Sequence, residues 1–227
     1  MAVTLWPLLP PLLRCCSVST ILTNLQNITP LRHQNYLVEA HLDILEDFYE
    51  LKDLSAVSNS ARDLVQGVSS VKRLFLSAHC IEVLTLVSEV PVLHNLTKMK
   101  IGCSNSPHLT LLTLLGSTPN LEELIFSEGL FPVPLMATFP VLKDYWGSDR
   151  AVPSCLKTHL KVIEIEHLIG LEEELRIVGF FLRNSDVLEQ LIIHKWVGSE
   201  GEFKIRKKLK KLAKCWKKCV KFNALFL

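Results

Sequence analysis

Leu160-Lys-Val-Ile-Glu-Ile165 is one of six copies of a short pattern that decides the fold of this 227-residue chain. In each copy, a second apolar residue follows the first after three positions, and a third follows after two more. The last two lie on one face of an extended chain, which predicts a β-strand with one buried side. The copies are Val71–Leu74–Leu76, Ile81–Leu84–Leu86, Leu96–Met99–Ile101, Leu121–Leu124–Phe126, Leu160–Ile163–Ile165 and Leu188–Leu191–Ile193.

Repetition of this pattern is typical of a leucine-rich repeat, in which each unit adds one strand to a continuous sheet. The first positions of successive copies are 10, 15, 25, 39 and 28 residues apart, whereas regular repeats run about 20–29 residues. The sequence therefore predicts an α/β protein built as an irregular leucine-rich-repeat solenoid. Amphipathic strands in an unrelated α/β fold are the alternative.

The composition indicates a folded protein, because 48% of the residues are hydrophobic and no apolar run approaches the length of a membrane span. The apolar start, Met1 to Cys16, has no basic beginning and is interrupted by prolines, which argues against a secretion signal. The seven cysteines include no CxxC pair, so we expect reduced, mostly buried thiols. These features predict a cytoplasmic or nuclear location.

The sequence divides into three predicted parts. Residues 1–127 are predicted to be the leucine-rich-repeat region, with a strand before residue 23, a degenerate strand at Leu37–Ala40–Leu42 and a helix between Leu45 and Val68. Residues 128–151 contain prolines and glycines and are predicted to be a linker or insertion. Residues 152–227 form the third part.

The third part begins with the clearest local unit. A strand over 160–166 is followed by Gly170 and by apolar residues at Leu171, Leu175, Val178 and Leu182, which share one helical face. Residues 172–174 are three glutamates in the first turn of that helix, where negative charge is favourable. A second strand follows over 188–194. This order predicts two parallel strands joined by a helix.

The same residues resemble the FBD domain of plant F-box/leucine-rich-repeat proteins. The resemblance rests on Val152-Pro-Ser-Cys-Leu-Lys-Thr-His-Leu-Lys-Val-Ile-Glu-Ile, on Gly170-Leu-Glu-Glu-Glu-Leu, on Leu182-Arg-Asn-Ser-Asp-Val-Leu-Glu-Gln-Leu-Ile-Ile and on Cys219-Val-Lys-Phe. It implies a C-terminal α/β unit of the FBD type over 152–227. It also implies the target-recognition part of a substrate receptor in an SCF-type ubiquitin ligase.

Proteins of that family usually begin with an F-box, a helical module that docks on the Skp-type adaptor of the ligase. No such module is recognised in this sequence. We therefore expect a non-catalytic protein-interaction module with an unknown protein target and without direct binding to the adaptor. No phosphate-binding glycine loop, HExxH or GxSxG motif occurs, so no catalytic, cofactor-binding or metal-binding residues are predicted.

The C-terminal segment is strongly basic. Residues 200–227 carry a net charge of +8, whereas the whole chain carries +2. Phe203 to Val220 predicts an amphipathic helix whose apolar stripe includes Leu209, Leu212 and Trp216. Its lysines could be a solvated face, or they could bind nucleic acid or a membrane surface. The candidate binding residues are Lys207, Lys208, Lys210, Lys211 and Lys214.

Overall fold

The computed structural model describes residues 16–22, 37–44, 54–85, 87, 89–102, 107–131, 151–195, 207–209, 211–212 and 223–226. Within them the chain is a mixed α/β protein. Its strands are β1 (Cys16–Leu22), β2 (Leu37–Ile44), β3 (Arg73–Leu76), β4 (Lys98–Ile101), β5 (Glu123–Phe126), β6 (Val162–Leu168), β7 (Gln190–Lys195) and β8 (Asn223–Phe226). Its helices are α1 (Leu54–Gly67), α2 (Ala78–Leu84), α3 (Pro107–Gly116), α4 (Ser154–Thr158) and α5 (Glu172–Asn184).

The eight strands form one sheet in which spatial order equals chain order, from β1 to β8. Every neighbouring pair is parallel. Parallel neighbours need a crossover to return the chain to the same end of the sheet, and helices supply it between β2 and β7. The predicted α/β class is confirmed.

One backbone carbonyl at the entrance of each unit accepts two N–H groups from the unit that follows. The oxygen of Lys72, for example, accepts from Thr97 and Lys98 at 2.9 and 3.0 Å. The residue before each such carbonyl is the first apolar position of the sequence pattern, and it is almost completely buried. The pattern thus marks where one unit docks on the previous one. The equivalent carbonyls are those of Lys72, Thr97, Glu122 and Lys161.

Five of the six predicted strand patterns are strands, with their middle residues 3% exposed or less. The prediction for Ile81–Leu84–Leu86 was wrong, because Ile81 and Leu84 lie in α2. A three-residue apolar spacing fits a helix as well as a strand entrance, and Ser77 starts a helix here by accepting the N–H of Cys80 at 3.4 Å. Leu86 lies outside the described residues.

The structure contains the other predicted strands and helices that fall within the described residues. A strand ends at Leu22, and Leu37–Ala40–Leu42 lies in β2 with Ala40 and Leu42 buried. The helix expected between Leu45 and Val68 is found as α1, while residues 45–53 lie outside the described part of the chain. The strand–helix–strand unit is confirmed as β6, α5 and β7, with β6 and β7 parallel.

A single cluster of buried apolar residues runs from β2 to β7 between the sheet and the helices. Its largest side chains include Phe126 of β5 and Phe180 and Phe181 of α5, and the Phe126 and Phe181 ring centroids are 6.2 Å apart. The core therefore continues across the predicted boundary between the repeat region and the FBD-type unit. Most of the predicted linker, residues 132–150, lies outside the described residues, and the division into domains stays a prediction.

Candidate functional site

The sheet has one side packed against the helices and a second side that points away from them. Residues that alternate with the buried strand residues point to this second side, and the strand registers align them in rows. We call this surface the sheet face. It consists of Glu39, Arg73, Lys98, Glu123, Val162 and Gln190 in one row, His41, Phe75, Lys100, Ile125, Glu164 and Ile192 in the next, and then Glu166 and His194.

Ion pairs join neighbouring strands across the sheet face. Arg73 contacts Glu39 at 2.6 Å and Lys98 contacts Glu123 at 2.6 Å. Hydrogen bonds from His41 and then Arg73 hold the pKa of Glu39 below its ordinary value, so this carboxyl stays ionised around neutral pH. Charged side chains thus link β2 to β3 and β4 to β5, in addition to the backbone hydrogen bonds of the sheet.

A further ion pair bridges two strands that are not neighbours. The Nζ of Lys100 on β4 lies 3.4 Å from a carboxylate oxygen of Glu166 on β6, so the pair crosses β5. Ile125 of β5 is only 8% exposed although it alternates with core residues and belongs to the sheet face. The sheet face therefore has a partly buried apolar centre.

Glu164 differs from the other carboxylates of the sheet face. His194 Nε2 lies 2.6 Å from a Glu164 carboxylate oxygen. Among the described residues, no lysine or arginine lies within ion-pairing distance of it. Its register neighbours are apolar: Ile125 on β5 and Ile192 on β7. Glu164 is thus a carboxylate between two isoleucines, with a histidine as its partner in the described part of the chain.

The sheet face also carries apolar side chains between its charged ones. Half-buried Phe75 packs near His41, with ring centroids 5.5 Å apart, and Val162 and Ile192 add further apolar area. Within the described residues no group of three or more His, Cys, Asp or Glu side chains could hold a metal ion. Cys80 and Cys155 are buried away from this surface, and burial raises the pKa of Cys155 to about 11.

Glu174 is a residue whose role the sequence did not reveal. It stands among three successive glutamates, but it is the buried one, at 0% exposure. One of its carboxylate oxygens accepts the N–H groups of Gly170, Leu171 and Ile169 at 2.6, 2.9 and 3.2 Å. These bonds fix the turn between β6 and α5, where Gly170 has a φ of 92°. The only sequence signal was a glutamate at the third helical position, which often bonds back to the helix start.

The basic segment lies against α5. Residues 207–209 and 211–212 are helical, Leu209 is 3% exposed, and Leu212 packs on the core beside Gly179. Lys208 Nζ lies 3.4 Å from a carboxylate oxygen of Glu172 in the first turn of α5. Of the candidate binding residues, Lys207, Lys208 and Lys211 are exposed, whereas Lys210 and Lys214 lie outside the described residues. Their binding role stays a prediction.

No helix in the described part of the chain has the length and apolar character that crossing a membrane requires. A model of the FBD family matches residues 148–193. This range agrees with the segment on which the resemblance was strongest in sequence. It comprises α4, β6, α5 and most of β7, which supply Val162, Glu164, Glu166 and Ile192 to the sheet face.

Curated relatives extend the similarity beyond the FBD region. The F-box/FBD/LRR-repeat protein At1g13780 of Arabidopsis thaliana is 32% identical over 168 residues, which are 71% of this chain and 35% of the relative. The F-box/FBD/LRR-repeat protein At2g26030 is 34% identical over 138 residues, and the F-box/LRR-repeat protein At2g42730 is 31% identical over 161 residues. These cover 58% and 67% of this chain and 28% and 35% of the respective relatives, both from the same plant.

The chain spans about a third of the length of the curated relatives it matches. No solved structure matches it. The chain therefore carries an FBD domain over residues 148–193 and is a relative of the plant F-box/FBD/LRR-repeat proteins.

Proposed function

We propose that this chain is a non-catalytic protein-interaction module that supplies target recognition to an SCF-type ubiquitin ligase. The observation that carries the proposal is the sheet face: a side of the parallel sheet that none of the described helices covers and that mixes half-buried apolar side chains with charged ones. A protein interface has this composition, with apolar and aromatic residues at its centre and polar groups around them. The F-box names of the relatives supply the ligase context.

We further propose that the described units form an irregular leucine-rich-repeat solenoid that ends in an FBD-type unit. The support is that each strand pairs with the next in chain order and that the carbonyls of Lys72, Thr97, Glu122 and Lys161 repeat one docking geometry. A solenoid has contacts only between neighbouring units and presents one extended surface. That architecture suits the recognition of another protein better than the enclosure of a small substrate.

Site-specific photo-crosslinking tests which surface binds. A crosslinking amino acid at Phe75 or Ile192 places the probe on the sheet face, and the same amino acid at Asp63 or Lys157, which are exposed on helices, is the matched control. In an Arabidopsis extract, we expect the sheet-face probes to capture a common protein that the helix probes do not capture. The purified protein should then bind the chain directly. Equal capture from both sets of positions would contradict the proposed surface.

A reconstituted ligase tests the ubiquitin context. The captured protein should be ubiquitinated when the chain is joined to the F-box of one of its relatives, and not when the sheet-face variant Phe75→Ser/Ile192→Ser is joined instead. The 227-residue chain expressed by itself is expected not to bind the Skp-type adaptor. Stoichiometric adaptor binding by this chain would overturn that expectation. If the chain binds the captured protein but the protein is not ubiquitinated, the interaction is supported and the role in a ligase is contradicted.

The exposure of Lys207, Lys208 and Lys211 favours a second candidate function, which is binding of phosphate groups by the basic segment. A nucleic acid or an anionic membrane surface would supply such groups. A salt titration of binding to a labelled DNA duplex and flotation with anionic liposomes test the two sources. Replacement of the three lysines by glutamine should abolish either interaction, whereas persistence of binding would assign it to another surface.

A further inference from the structure

The charges of the sheet face are arranged in strips that follow the strands. Strand β4 contributes Lys98 and Lys100, whereas β5 and β6 contribute Glu123, Glu164 and Glu166. We call these five residues the charged band. Arg73 of β3 is not included, because it pairs with Glu39 of β2 on the side away from β5 and β6. The sign of the charged band therefore changes at one line, between β4 and β5.

The ion pairs across this line are partly exposed and can be exchanged for pairs with a partner. The side chains of Lys98 and Glu123 are 41% and 42% exposed, and those of Lys100 and Glu166 are 42% and 29% exposed. Pairs with this exposure contribute little to folding, because water already solvates both charges well. A partner that offers an opposite charge to each side can replace them at small cost.

Glu164 is an acidic residue with which no described lysine or arginine pairs. Its contact at 2.6 Å is with His194, which is positive only when protonated. The neighbouring Ile125, Val162 and Ile192 offer aliphatic surface on which the stem of a lysine or arginine packs while its head reaches the carboxylate. The acidic side therefore suits the long basic side chain of a binding partner.

We propose, as a refinement that rests on the proposed function, that the sheet face binds an extended protein segment carrying an acidic and a basic side chain about three residues apart. The acidic side chain lies over Lys98 and Lys100, and the basic one lies over Glu164 and Glu166. The spacing follows from geometry. Strands β4 and β6 are two strand intervals apart, about 10 Å, and an extended segment advances about 3.3 Å per residue.

A polyanion is a poor occupant of this surface. A nucleic acid lying across the strands would place phosphates over Glu123, Glu164 and Glu166, and no separate cation among the described residues stands beside Glu164 to offset them. Like charges brought together in an interface oppose binding strongly. The mixed sign of the charged band thus selects a segment of mixed sign.

The test uses the whole chain and an array of random 12-residue synthetic peptides as the probe. We expect the bound peptides to be enriched in opposite charges separated by two to four residues, with an apolar residue near them. Enrichment of one sign only, absence of charge enrichment or absence of bound peptides would overturn the proposal. A labelled single-stranded oligonucleotide that competes with the peptides for the sheet face would also overturn it.

Charge-swap variants make the test specific. Lys98→Glu/Glu123→Lys combined with Lys100→Glu/Glu166→Lys keeps both internal ion pairs but reverses four of the five charges of the charged band, all except that of Glu164. The affinity of the selected peptides should fall at least about tenfold. The matched control is Lys157→Asp/Asp186→Lys, which reverses an exposed pair on the helix side and should leave the affinity unchanged.

Different outcomes overturn the refinement and the proposed function. If Phe75→Ser/Ile192→Ser abolishes peptide binding while the charge swap has no effect, the sheet face binds a protein without reading its charge order, and only the refinement is overturned. If neither change affects binding, the sheet face is not the binding surface and the proposed function is overturned with it. Circular dichroism and thermal unfolding of each variant establish that the fold is retained.

Discussion

The thiol of Cys155 donates a hydrogen bond to the backbone carbonyl oxygen of Leu115, at 3.5 Å and forty residues earlier in the chain. Cys80 makes the same kind of contact with the carbonyl oxygen of Leu42 at 3.2 Å. In both cases a buried thiol at the start of a short helix bonds to a carbonyl of an earlier unit. Sulfur serves here as a weak donor within the core.

The first prediction concerns the reactivity of Cys155. Its thiol is 0% exposed and its pKa is raised to about 11 by burial, so almost no thiolate exists at pH 7.5. Iodoacetamide should therefore modify Cys155 only after unfolding. Mass spectrometry of the peptide that contains it, with and without urea, measures this. Rapid modification of the folded chain would contradict the described burial.

The second prediction concerns the strand residues that face the core. Leu124, Ile163 and Leu191 are 0%, 0% and 2% exposed. Replacement of any one by alanine should lower the free energy of unfolding by about 2–5 kcal/mol, because each change leaves a cavity. Gln190→Ala, at an exposed position of β7, is the control and should change it by less than about 0.5 kcal/mol. Urea denaturation measures the free energy of unfolding of each variant. Core replacements with effects as small as that of the control would contradict the strand assignment.

The third prediction concerns the buried carboxyl of Glu174. Glu174→Ala leaves the N–H groups of Ile169, Gly170 and Leu171 without this acceptor and should cost about 1–3 kcal/mol. Glu174→Gln should cost less, because a single amide oxygen can occupy the position of the accepting carboxylate oxygen. Chemical denaturation of the two variants and the wild type ranks them. Equal losses of unfolding free energy in the two variants would mean that the hydrogen bonds to Glu174 do not cause the destabilisation.

The same residue gives a pH dependence. Burial, the largest influence, raises the pKa of Glu174 above its ordinary value of 4.5, against the opposing backbone hydrogen bonds. The folded state then holds the proton to higher pH than the unfolded state, so this group's contribution is full below pH 4.5 and is lost as the pH rises through the raised pKa. The stability of the wild type relative to Glu174→Gln should therefore decrease from pH 4 upward. An increase would show that the pKa is lowered instead.

The fourth prediction compares two glycines. A Cβ on Gly102 would lie 2.8 Å from the backbone nitrogen of Ala78, whereas a Cβ on Gly116 would have nothing within 4 Å. Gly102→Ala should therefore destabilise the chain by about 1–3 kcal/mol. Gly116→Ala, at the end of α3, should be neutral or stabilising by up to about 1 kcal/mol. Thermal unfolding of the two variants is the measurement, and a reversed order would contradict the close approach of β4 and α2.

The fifth prediction separates apolar from charged attachment of the basic segment. Leu209→Ala removes a side chain that is 3% exposed and should accelerate amide exchange over residues 207–212. Lys207→Gln/Lys208→Gln should leave exchange nearly unchanged, because the Lys208–Glu172 pair is exposed. If the lysine changes release the segment and Leu209→Ala does not, its attachment is electrostatic.

The repeated apolar pattern was enough to predict β3 to β7, because the spacing of its last two residues fixes which side of a strand is buried. It failed for Ile81 and Leu84, where the same three-residue interval serves a helix. The contacts of the sheet face could not be read from the sequence. Lys100 and Glu166 are 66 residues apart, and only the register of three strands brings them together.

Glu174 shows a second limit of sequence reasoning. Three identical residues in a row gave no sign that the third would be buried while its neighbours remained near solvent. The difference arises from helix geometry, which turns the third residue back toward the preceding loop. The burial of Leu209 was easier to predict, because the apolar residues of the basic segment lie on one stripe of a helix and its lysines lie outside that stripe.

The docking carbonyls of Lys72, Thr97, Glu122 and Lys161 tie successive units together only where each strand begins. The chain between one such position and the next is 25, 25, 39 and 28 residues long, counting to Glu189, yet the strands stay in register. Insertions on the helix side are thus decoupled from the spacing of side chains on the sheet face. A connection can therefore differ in length from its neighbours while the side chains on the sheet face keep their rows.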